Sequence, residues 1–379
     1  MVIRKLGPRN FLSAIILSWG VALIGMAFCK TWQQLAGIRA LLGFLESGYF
    51  PGALYLQSCW YSRYEIQKRF SMFFILACIV SGLAGIMTYG FSRMAGLQGL
   101  SGWQWIYIME AILTFIVGII CAIFVVDFPE KAHKTWGFLK GPETEFILRR
   151  LNRDRDDAEG EPFNIWKFLK PGLDIKIWCF GLLFFSFTTV AYALSYFLPT
   201  ILVAGMGFGT TAAQCLLAPP YVLSGVHMNF SAWFSDKYRT RGPVIVFNAI
   251  IAIVGLALVG FAKPSGVRLF GVFLAAMGSN ANIAAAPAYQ ANNTRGQWTR
   301  AFSSSLMVAM GGVGGVAGSL VFRSQDAPEY IPGIWATIAS QFLVIVIVVG
   351  LSIWFRYRNK QAENGVKFIA DLATFRYTI

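Results

Sequence analysis

Hydrophobic residues gather in ten runs along this chain, and short polar loops separate most of them. Each run is long enough to form a membrane-spanning helix, which needs about 20 mostly apolar residues. Trp and Tyr residues stand near the ends of the runs, where aromatic rings favour the membrane interface. The pattern therefore predicts an all-α integral membrane protein with these spans: 11–29, 34–60, 70–91, 103–126, 173–203, 210–234, 243–262, 267–289, 299–322 and 331–355.

One long polar segment divides the runs into four before it and six after it. Its mixed charges, prolines and glycines predict a cytoplasmic linker, with short helices near 142–152 and 163–169. The last residues are polar and basic, and we expect this tail to be disordered or to lie on the surface. The predicted parts are a four-helix membrane bundle, the linker, a six-helix membrane bundle and the tail: 1–126, 127–172, 173–356 and 357–379.

Positive charge predicts the orientation of the chain. The net charge of +14 would suit a nucleic-acid-binding protein, but the lysines and arginines lie in loops beside apolar runs. If the N-terminus is cytoplasmic, 25 of them fall on the cytoplasmic side and 5 on the other side. Because cytoplasmic loops carry the excess of Lys and Arg, we expect both termini inside, a lipid bilayer around the chain and no nucleic-acid partner.

The stretch IRALLGFLESGYFPG, residues 38–52, carries two full charges inside an apolar run. Arg39 and Glu46 are seven residues apart, about two helical turns, so they project from one helix face. Either charge would cost about 2.5–3.5 kcal/mol at the centre of a lipid-facing helix, so both should face protein or water. The run also contains Gly43, Gly48 and a Pro-Gly pair at 51–52, which predict close helix contacts and a bend. A charged face on a bent membrane helix indicates a translocation pathway.

A second group of charges lies in the loop SDKYRTRG, residues 235–242. Asp236 with Arg239 and Arg241 would form a charge lock between two helices that tightens in one conformation and breaks in another. Simple positive-inside anchoring explains the same residues. Glu110 is a further acid inside a span, and its simplest role is pairing within the bundle.

Polar side chains inside the second group of spans offer contacts for a polar solute. Tyr192 and Tyr196 lie in the fifth span and Asn282 in the eighth, and hydrogen bonding between helices explains any one of them equally well. His227 on an apolar face is more often a packing residue than a proton carrier. The glycine-rich run 311–319 has small residues at helical spacing, which predicts close helix packing rather than phosphate binding.

Enzymatic functions lack their sequence signatures. The six cysteines show no CxxC spacing and the chain has only two histidines, so neither a disulfide framework nor a metal site is supported. The sequence contains no GxSxG, HExxH or GxxxxGK[ST] motif. We therefore expect neither catalysis nor a cofactor, and ATP-driven pumping is unsupported.

An ordered series of motifs resembles the anion:cation symporter branch of the major facilitator superfamily. IRALLGFLESGYFPGALYLQSCWYSRYEIQKRF resembles the fourth helix and following loop of that branch, GWQWIYIMEA its sixth helix and VDFPEKAHKTW its central loop. The second half matches in order through YALSYFLPTIL, APPYV, SDKYRTRG, NNTRGQWTRA and FRSQDAPEYIPG. Within the branch the chain is most similar to fungal permeases for allantoate, nicotinate and pantothenate, and its FRYTI ending favours the nicotinate group.

The resemblance implies a monomeric symporter in the plasma membrane that imports a small organic anion by alternating access, driven by the proton gradient. Arg39 and Glu46 match the charged positions of the fourth helix, which serve anion attraction and proton coupling. Tyr192, Tyr196 and Asn282 would face the cavity from the second half. The family has twelve spans, and this chain starts at the loop between the second and third, so the first two helices are expected to be absent. The alternative is a shortened, non-transporting relative or a membrane regulatory partner.

Overall fold

The computed structural model describes residues 2–62, 65–134, 138–155, 164–205, 207, 209–326, 330–365, 368–369 and 375–379. Fifteen α-helices lie within these ranges. In chain order they are α1 Val2–Leu6, α2 Pro8–Ala27, α3 Trp32–Glu46, α4 Tyr49–Trp60, α5 Ile66–Ser92, α6 Gly102–Phe124, α7 Gly141–Arg155, α8 Ile165–Leu169, α9 Ile175–Thr200, α10 Thr210–Cys215, α11 Ala218–Tyr238, α12 Gly242–Phe261, α13 Ser265–Asn293, α14 Gln297–Val321 and α15 Ile331–Glu363. The predicted all-α class is confirmed.

Eight helices among the described residues are long and apolar enough to cross a membrane: α2, α5, α6, α9, α12, α13, α14 and α15. The two other predicted spans are each interrupted. Residues 34–60 form α3 and α4, and residues 210–234 form α10 and the first part of α11. The count of ten spans stays a prediction. The helices α3 and α4 reach the bilayer length only when they are taken together, whereas α11 alone has 21 residues but is not among the helices apolar enough to cross a membrane.

The predicted bend in the first charged span lies between α3 and α4. The helix breaks at Ser47 and Gly48, one turn before Pro51. Proline has no N–H to donate to the carbonyl four residues earlier, here that of Ser47, and its ring crowds that carbonyl. Hydrogen bonding continues on both sides of the break, from Ser47 N to Gly43 O (3.1 Å) and from Gly52 N to Gly48 O (3.2 Å). The bend therefore precedes the proline that causes it.

Two of the glycines in this span make the predicted close contacts. A Cβ added at Gly48 would lie 3.0 Å from the ring of Phe11 on α2, and one at Gly52 would lie 3.2 Å from Ile3. Gly43 has no such neighbour within 4 Å, so the predicted contact at that position is wrong. A glycine on the outer surface of α3 needs no close approach, and its cost there is the usual loss of helix propensity.

The chain divides into two compact units, and the boundary falls within α5. Unit 1 contains residues 1–61 and 84–158, and unit 2 contains residues 62–83 and 159–379. In unit 1, α2 packs against α6 and α3, with Leu23, Met26 and Ala111 at the buried centre. In unit 2, α9 packs on α14, α13 and α15, while α12 packs on α13 and α15. Each unit is thus a helical bundle with its own core.

Glycines on one face of α14 allow the tight contact with α9. Gly311, Gly314 and Gly318 recur at helical spacing and are all buried. A Cβ at Gly318 would lie 2.5 Å from the carbonyl oxygen of Thr189, and one at Gly314 would overlap the carbonyl oxygen of Phe185. The prediction of close helix packing in the run 311–319 is confirmed for these positions.

Replacing Gly314 with alanine is expected to destabilise unit 2 by about 1–3 kcal/mol, the usual cost of overpacking a tight interface. The added methyl meets α9 backbone, which cannot move without shifting the whole helix. Thermal unfolding of the detergent-solubilised protein measures the effect. Gly312→Ala is the matched control, because a Cβ there meets nothing within 4 Å and should leave the melting temperature unchanged or raise it. Equal melting temperatures for the two variants would contradict the packing role.

The linker and the tail differ in how they match expectation. The two short predicted linker helices correspond to α7 and α8, although residues 156–163 lie outside the described ranges. Where the tail is described, it is only partly a surface segment: Tyr357 and Glu363 are exposed, but other residues are buried. The helix α15 continues to Glu363, and Phe375 and Thr378 are buried within unit 2. Composition alone predicted exposure because the partners of this polar segment are distant in sequence.

Candidate functional site

The charged face of α3 begins at a well-defined helix start. The Thr31 side chain accepts a hydrogen bond from Gln34 N and so caps α3. The helix then runs without interruption to Glu46, which keeps Arg39 and Glu46 on one face, about 10 Å apart along the axis. Both side chains are exposed on unit 1, and α3 has no buried residue.

Arg39 reaches across to α6. Its Nη2 donates a hydrogen bond to the hydroxyl of Tyr107, at 3.0 Å. Glu110 lies one turn further along α6 and is within electrostatic range of the Arg39 guanidinium. Tyr107 and Glu110 are three residues apart, so they share a helix face. The structure thus brings a cation on α3 together with a hydroxyl and an acid on the membrane-length helix α6.

The start of α6 holds this face in place. Ser101 and Gln104 form a capping box, with Ser101 N donating to Gln104 Oε1 at 2.8 Å. The other end of the same amide donates to the carbonyl oxygen of Ala27 at the end of α2, at 2.9 Å. Because one side chain both caps α6 and ties it to α2, Gln104 holds the rotation of α6, and hence the direction of Tyr107, through a contact 77 residues away in the sequence.

Glu46 stands apart from that group. It is the last residue of α3, and among the described residues no hydrogen bond or ion pair holds its carboxylate. A carboxylate at a helix C-terminus lies at the negative end of the helix dipole, so Glu46 does not stabilise α3 through the dipole. A role for Glu46 in proton coupling stays a prediction.

Tyr192 and Tyr196 form one aromatic face of α9. Their ring centroids are 5.9 Å apart, and both side chains are exposed. The small residue Gly315 on α14 leaves room beside Tyr192, since a Cβ there would lie 3.2 Å from that ring. Beside this face, Tyr221, Ser279 and Asn280 contribute polar groups to a cleft between α9, α11 and α13. Exposed phenols on a spanning helix are suited to contact a polar solute.

Asn282 serves a different contact. The residue is fully buried, accepts a hydrogen bond from Asn248 Nδ2 (3.2 Å) and donates one to Ile245 O (3.2 Å). Asn248 in turn contacts His227 Nε2 at 2.9 Å and accepts from Ser231 Oγ at 3.1 Å. These bonds join α11, α12 and α13, which is the helix-to-helix bonding that the sequence left open for Asn282.

A buried polar group joins the ends of α5, α11 and α12, and we call it the Arg241 cluster: Gln67, Ser235, Asp236 and Arg241. Arg241 is 1 % exposed, and its Nη1 pairs with Asp236 Oδ1 at 2.6 Å. The same nitrogen donates to Ser235 Oγ at 2.8 Å and to the Gln67 side-chain oxygen. The charge is therefore paired and hydrogen-bonded, which a buried guanidinium requires.

Asp236 also binds the first turn of α5. Its Oδ2 accepts a hydrogen bond from Lys68 N at 3.0 Å, so the carboxylate satisfies one orphan donor at a helix N-terminus. Arg239, the third predicted member, instead ends α11 in a left-handed conformation with φ 55° and an exposed side chain. Residues 236 and 241 thus come together, whereas Arg239 forms the turn between them.

Sequence reasoning missed several partners in these sites. Tyr107 had a usable signal, because it precedes Glu110 by three residues on the same predicted helix face. Gln67 and Asn248 had none, since an isolated amide at the end or inside of a span is compatible with many neighbours. Their partners lie 174 residues away for Gln67 and Arg241, and 34 away for Asn248 and Asn282.

Two helical units, many membrane-length helices and charges placed on helix faces within the spans define a polytopic membrane protein. The sequence profile described as Major Facilitator Superfamily matches residues 1–319, and the chain belongs to that family.

The curated relatives are transporters of fungi. The chain is 29% identical over 365 residues to the high-affinity nicotinic acid transporter of Saccharomyces cerevisiae, covering 95% of this chain and 66% of that protein. It is 27% identical over 379 residues to the major facilitator-type transporter hxnP of Emericella nidulans, covering 98% of this chain and 75% of that protein. The chain thus spans about two thirds of the first relative and three quarters of the second.

Solved structures agree on the fold. The proton:xylose symporter XylE, solved with 6-bromo-6-deoxy-D-glucose, superposes with a TM-score of 0.69 at 14% identity, covering 90% of this chain and 78% of that one. At this identity the likeness shows the major facilitator fold alone.

Proposed function

We propose that this chain mediates proton-coupled uptake of a small organic anion, of the nicotinate, allantoate or pantothenate kind, by alternating access. The observation that carries the proposal is the Arg39 guanidinium, held by Tyr107 with Glu110 nearby on α6. A guanidinium in a membrane segment is costly and contributes little to packing when it is exposed. It gives a carboxylate a planar pair of N–H donors, which is the recognition that Arg provides best.

The similarity to a nicotinic acid transporter supports a monocarboxylate as substrate. On this proposal an anion meets Arg39 first and Glu46 deeper along α3, with both termini in the cytoplasm of a monomer in the plasma membrane. Tyr192 and Tyr196 contact the solute from α9. No cofactor is needed, because the proton gradient supplies the driving force.

Glu46 is the titratable acid of the proposed coupling. Uptake by the wild type is expected to rise as external pH falls, because protonation of the carboxylate accompanies inward movement of the anion. The variant Glu46→Gln cannot exchange the proton and should lose both accumulation against a gradient and the pH dependence. Uptake of labelled nicotinate into cells lacking their own carrier, measured between pH 4 and pH 8, provides the test.

Glu363→Gln is the matched control, since Glu363 is an exposed acid at the end of α15. It should keep the wild-type pH profile. Undiminished and still pH-dependent uptake by Glu46→Gln would refute a role of Glu46 in proton coupling. The role of Arg39 in anion binding would be unaffected, because a separate variant tests it.

A further inference from the structure

Residues 375–379, FRYTI, are bound to the rest of unit 2 by the side chains of two asparagines. Asn359 Nδ2 donates to Tyr377 O at 2.9 Å, and Tyr377 N donates to Asn359 Oδ1 at 2.8 Å. Asn293 does the same for the next residue, with Nδ2 to Thr378 O at 3.1 Å and Thr378 N to Asn293 Oδ1 at 2.9 Å. A side-chain amide has one acceptor oxygen and a donor nitrogen, so each asparagine pairs with a backbone unit as a neighbouring strand would.

Aromatic stacking holds the same peptide from the α15 side. The ring of Tyr377 stacks on Phe355 with centroids 4.5 Å apart and an interplanar angle of 23°. The ring of Trp354 also lies beside Tyr377, with the two ring centroids 5.7 Å apart. Phe375 is buried in an apolar cluster with Ala362. These contacts bury Phe375 and cover part of Tyr377, which adds apolar burial to the backbone hydrogen bonds.

A buried lysine completes the binding site. Lys176 Nζ lies 5.0 Å from the Tyr377 ring centroid and donates to Asn293 O at 3.1 Å. Asp174 Oδ2 is 3.5 Å from the same ammonium group. A cation over the face of a tyrosine is favourable, and more so where water is excluded. The peptide is therefore contacted by the first turn of α9 as well as by α13 and α15.

The last residue of the peptide reaches the Arg241 cluster. Arg241 N donates to Ile379 O at 2.8 Å, while the guanidinium of the same residue pairs with Asp236. Gly242 adjoins this contact, since a Cβ there would lie 3.6 Å from the carbonyl carbon of Ile379. The peptide thus bonds to the backbone of the residue whose side chain forms the buried ion pair.

We propose that residues 375–379 act as a clasp, an intramolecular ligand that holds the ends of α9, α12, α13 and α15 together and positions Arg241 for its pair with Asp236. Release of the clasp would loosen the Arg241 cluster and with it the hold of Asp236 on the first turn of α5. The structural role is independent of the substrate, and only an effect on uptake rests on the proposed function.

Hydrogen exchange of the full-length protein in detergent tests the clasp directly. The amides of Tyr377, Thr378 and Arg241 should be protected in the wild type, because all three donate hydrogen bonds across the contact. Asn359→Ala should raise exchange at all three at least tenfold. Tyr357→Ala is the control, since that side chain is 61 % exposed on the same helix, and it should change none of them. Unchanged exchange at Arg241 in Asn359→Ala would overturn the link to the cluster.

Adding the missing peptide back distinguishes loss of the clasp from misfolding of the variant protein. Deletion of residues 375–379 should lower the melting temperature and deprotect the Arg241 amide. Adding the free peptide FRYTI to the deleted protein should restore both, whereas a peptide with alanine in place of the tyrosine should restore neither. Two results would overturn the proposal: a deletion that leaves the melting temperature and the Arg241 exchange at wild-type values, or an FRYTI peptide that restores neither of them. Neither readout depends on transport.

Discussion

Arg39→Ala is expected to abolish uptake of small carboxylates. Each hydrogen bond to a charged group contributes about 1.5–3 kcal/mol, so loss of a two-bond contact weakens binding by at least a hundredfold. Alanine also removes the hydrogen bond to Tyr107, which leaves that hydroxyl and Glu110 without the nearby cation. Initial rates of labelled nicotinate uptake across a range of concentrations, in cells lacking their own carrier, provide the measurement.

Three companion variants sharpen the Arg39 result. Arg39→Lys keeps the charge but loses the planar fork, so it should retain part of the activity with a raised KM. Tyr107→Phe removes only the orienting hydroxyl and should have a smaller effect on KM. Arg93→Ala is the control. It removes a cation that lies in the loop between α5 and α6 and packs over Tyr89, and this variant should transport normally.

Two outcomes would change the conclusion about Arg39. Wild-type KM and rate in Arg39→Ala would refute anion recognition by this residue. A wild-type protein that reaches the membrane and melts cooperatively, yet takes up no member of a panel of carboxylates, would favour the non-transporting relative over the carrier. Competition within that panel would also identify the anion, which no single residue specifies.

Asp236→Ala is expected to destabilise the protein by about 3–5 kcal/mol, the usual result of leaving one partner of a buried ion pair alone. Arg241 is 1 % exposed and would keep its charge without the carboxylate. The amide of Lys68 would also lose its acceptor. Thermal unfolding in detergent measures the loss as a lower melting temperature.

A second substitution separates charge pairing from packing. In the double variant Asp236→Ala/Arg241→Met, no unpaired charge stays buried, so much of the stability should return. Lys237→Ala, an exposed neighbour, should behave as the wild type. If positive-inside anchoring were the whole role of this loop, Asp236→Ala would melt as the wild type does. That result would refute the charge lock.

The Arg39 and Asp236 sites show how far sequence reasoning reaches. The position of Arg39 inside an apolar run was enough to mark it as a costly charge, and its cost does not depend on the partner. The partner Tyr107 depends on how α3 and α6 rotate against each other, which no local pattern specifies. For Asp236 the sequence left both a lock and simple anchoring open, because both need the same loop charges, and it favoured anchoring. Burial of Arg241 and the bond to Lys68 N show a paired charge that anchoring alone does not require, while its opening in a second conformation stays a prediction.

Local patterns by themselves predicted the eight long apolar helices among the described residues and the packing face of α14, because a bilayer demands about 20 apolar residues per span and because glycine spacing along one helix sets its packing face. The helix starts, the bend before Pro51 and the close face of α14 all follow from neighbours within a few residues. These features depend on short-range sterics and backbone hydrogen bonds, which the order of residues contains directly.

Tertiary structure alone decided the pairings between distant segments. The polar tail looked solvated by composition, yet Asn293 and Asn359 satisfy its backbone and bury Thr378. Asn282 looked equally suited to a cavity or a helix contact, and the position of Asn248 decided for the helix contact. A polar group is stable inside the protein only when a partner lies within hydrogen-bond distance, and that partner exists only once the helices have packed.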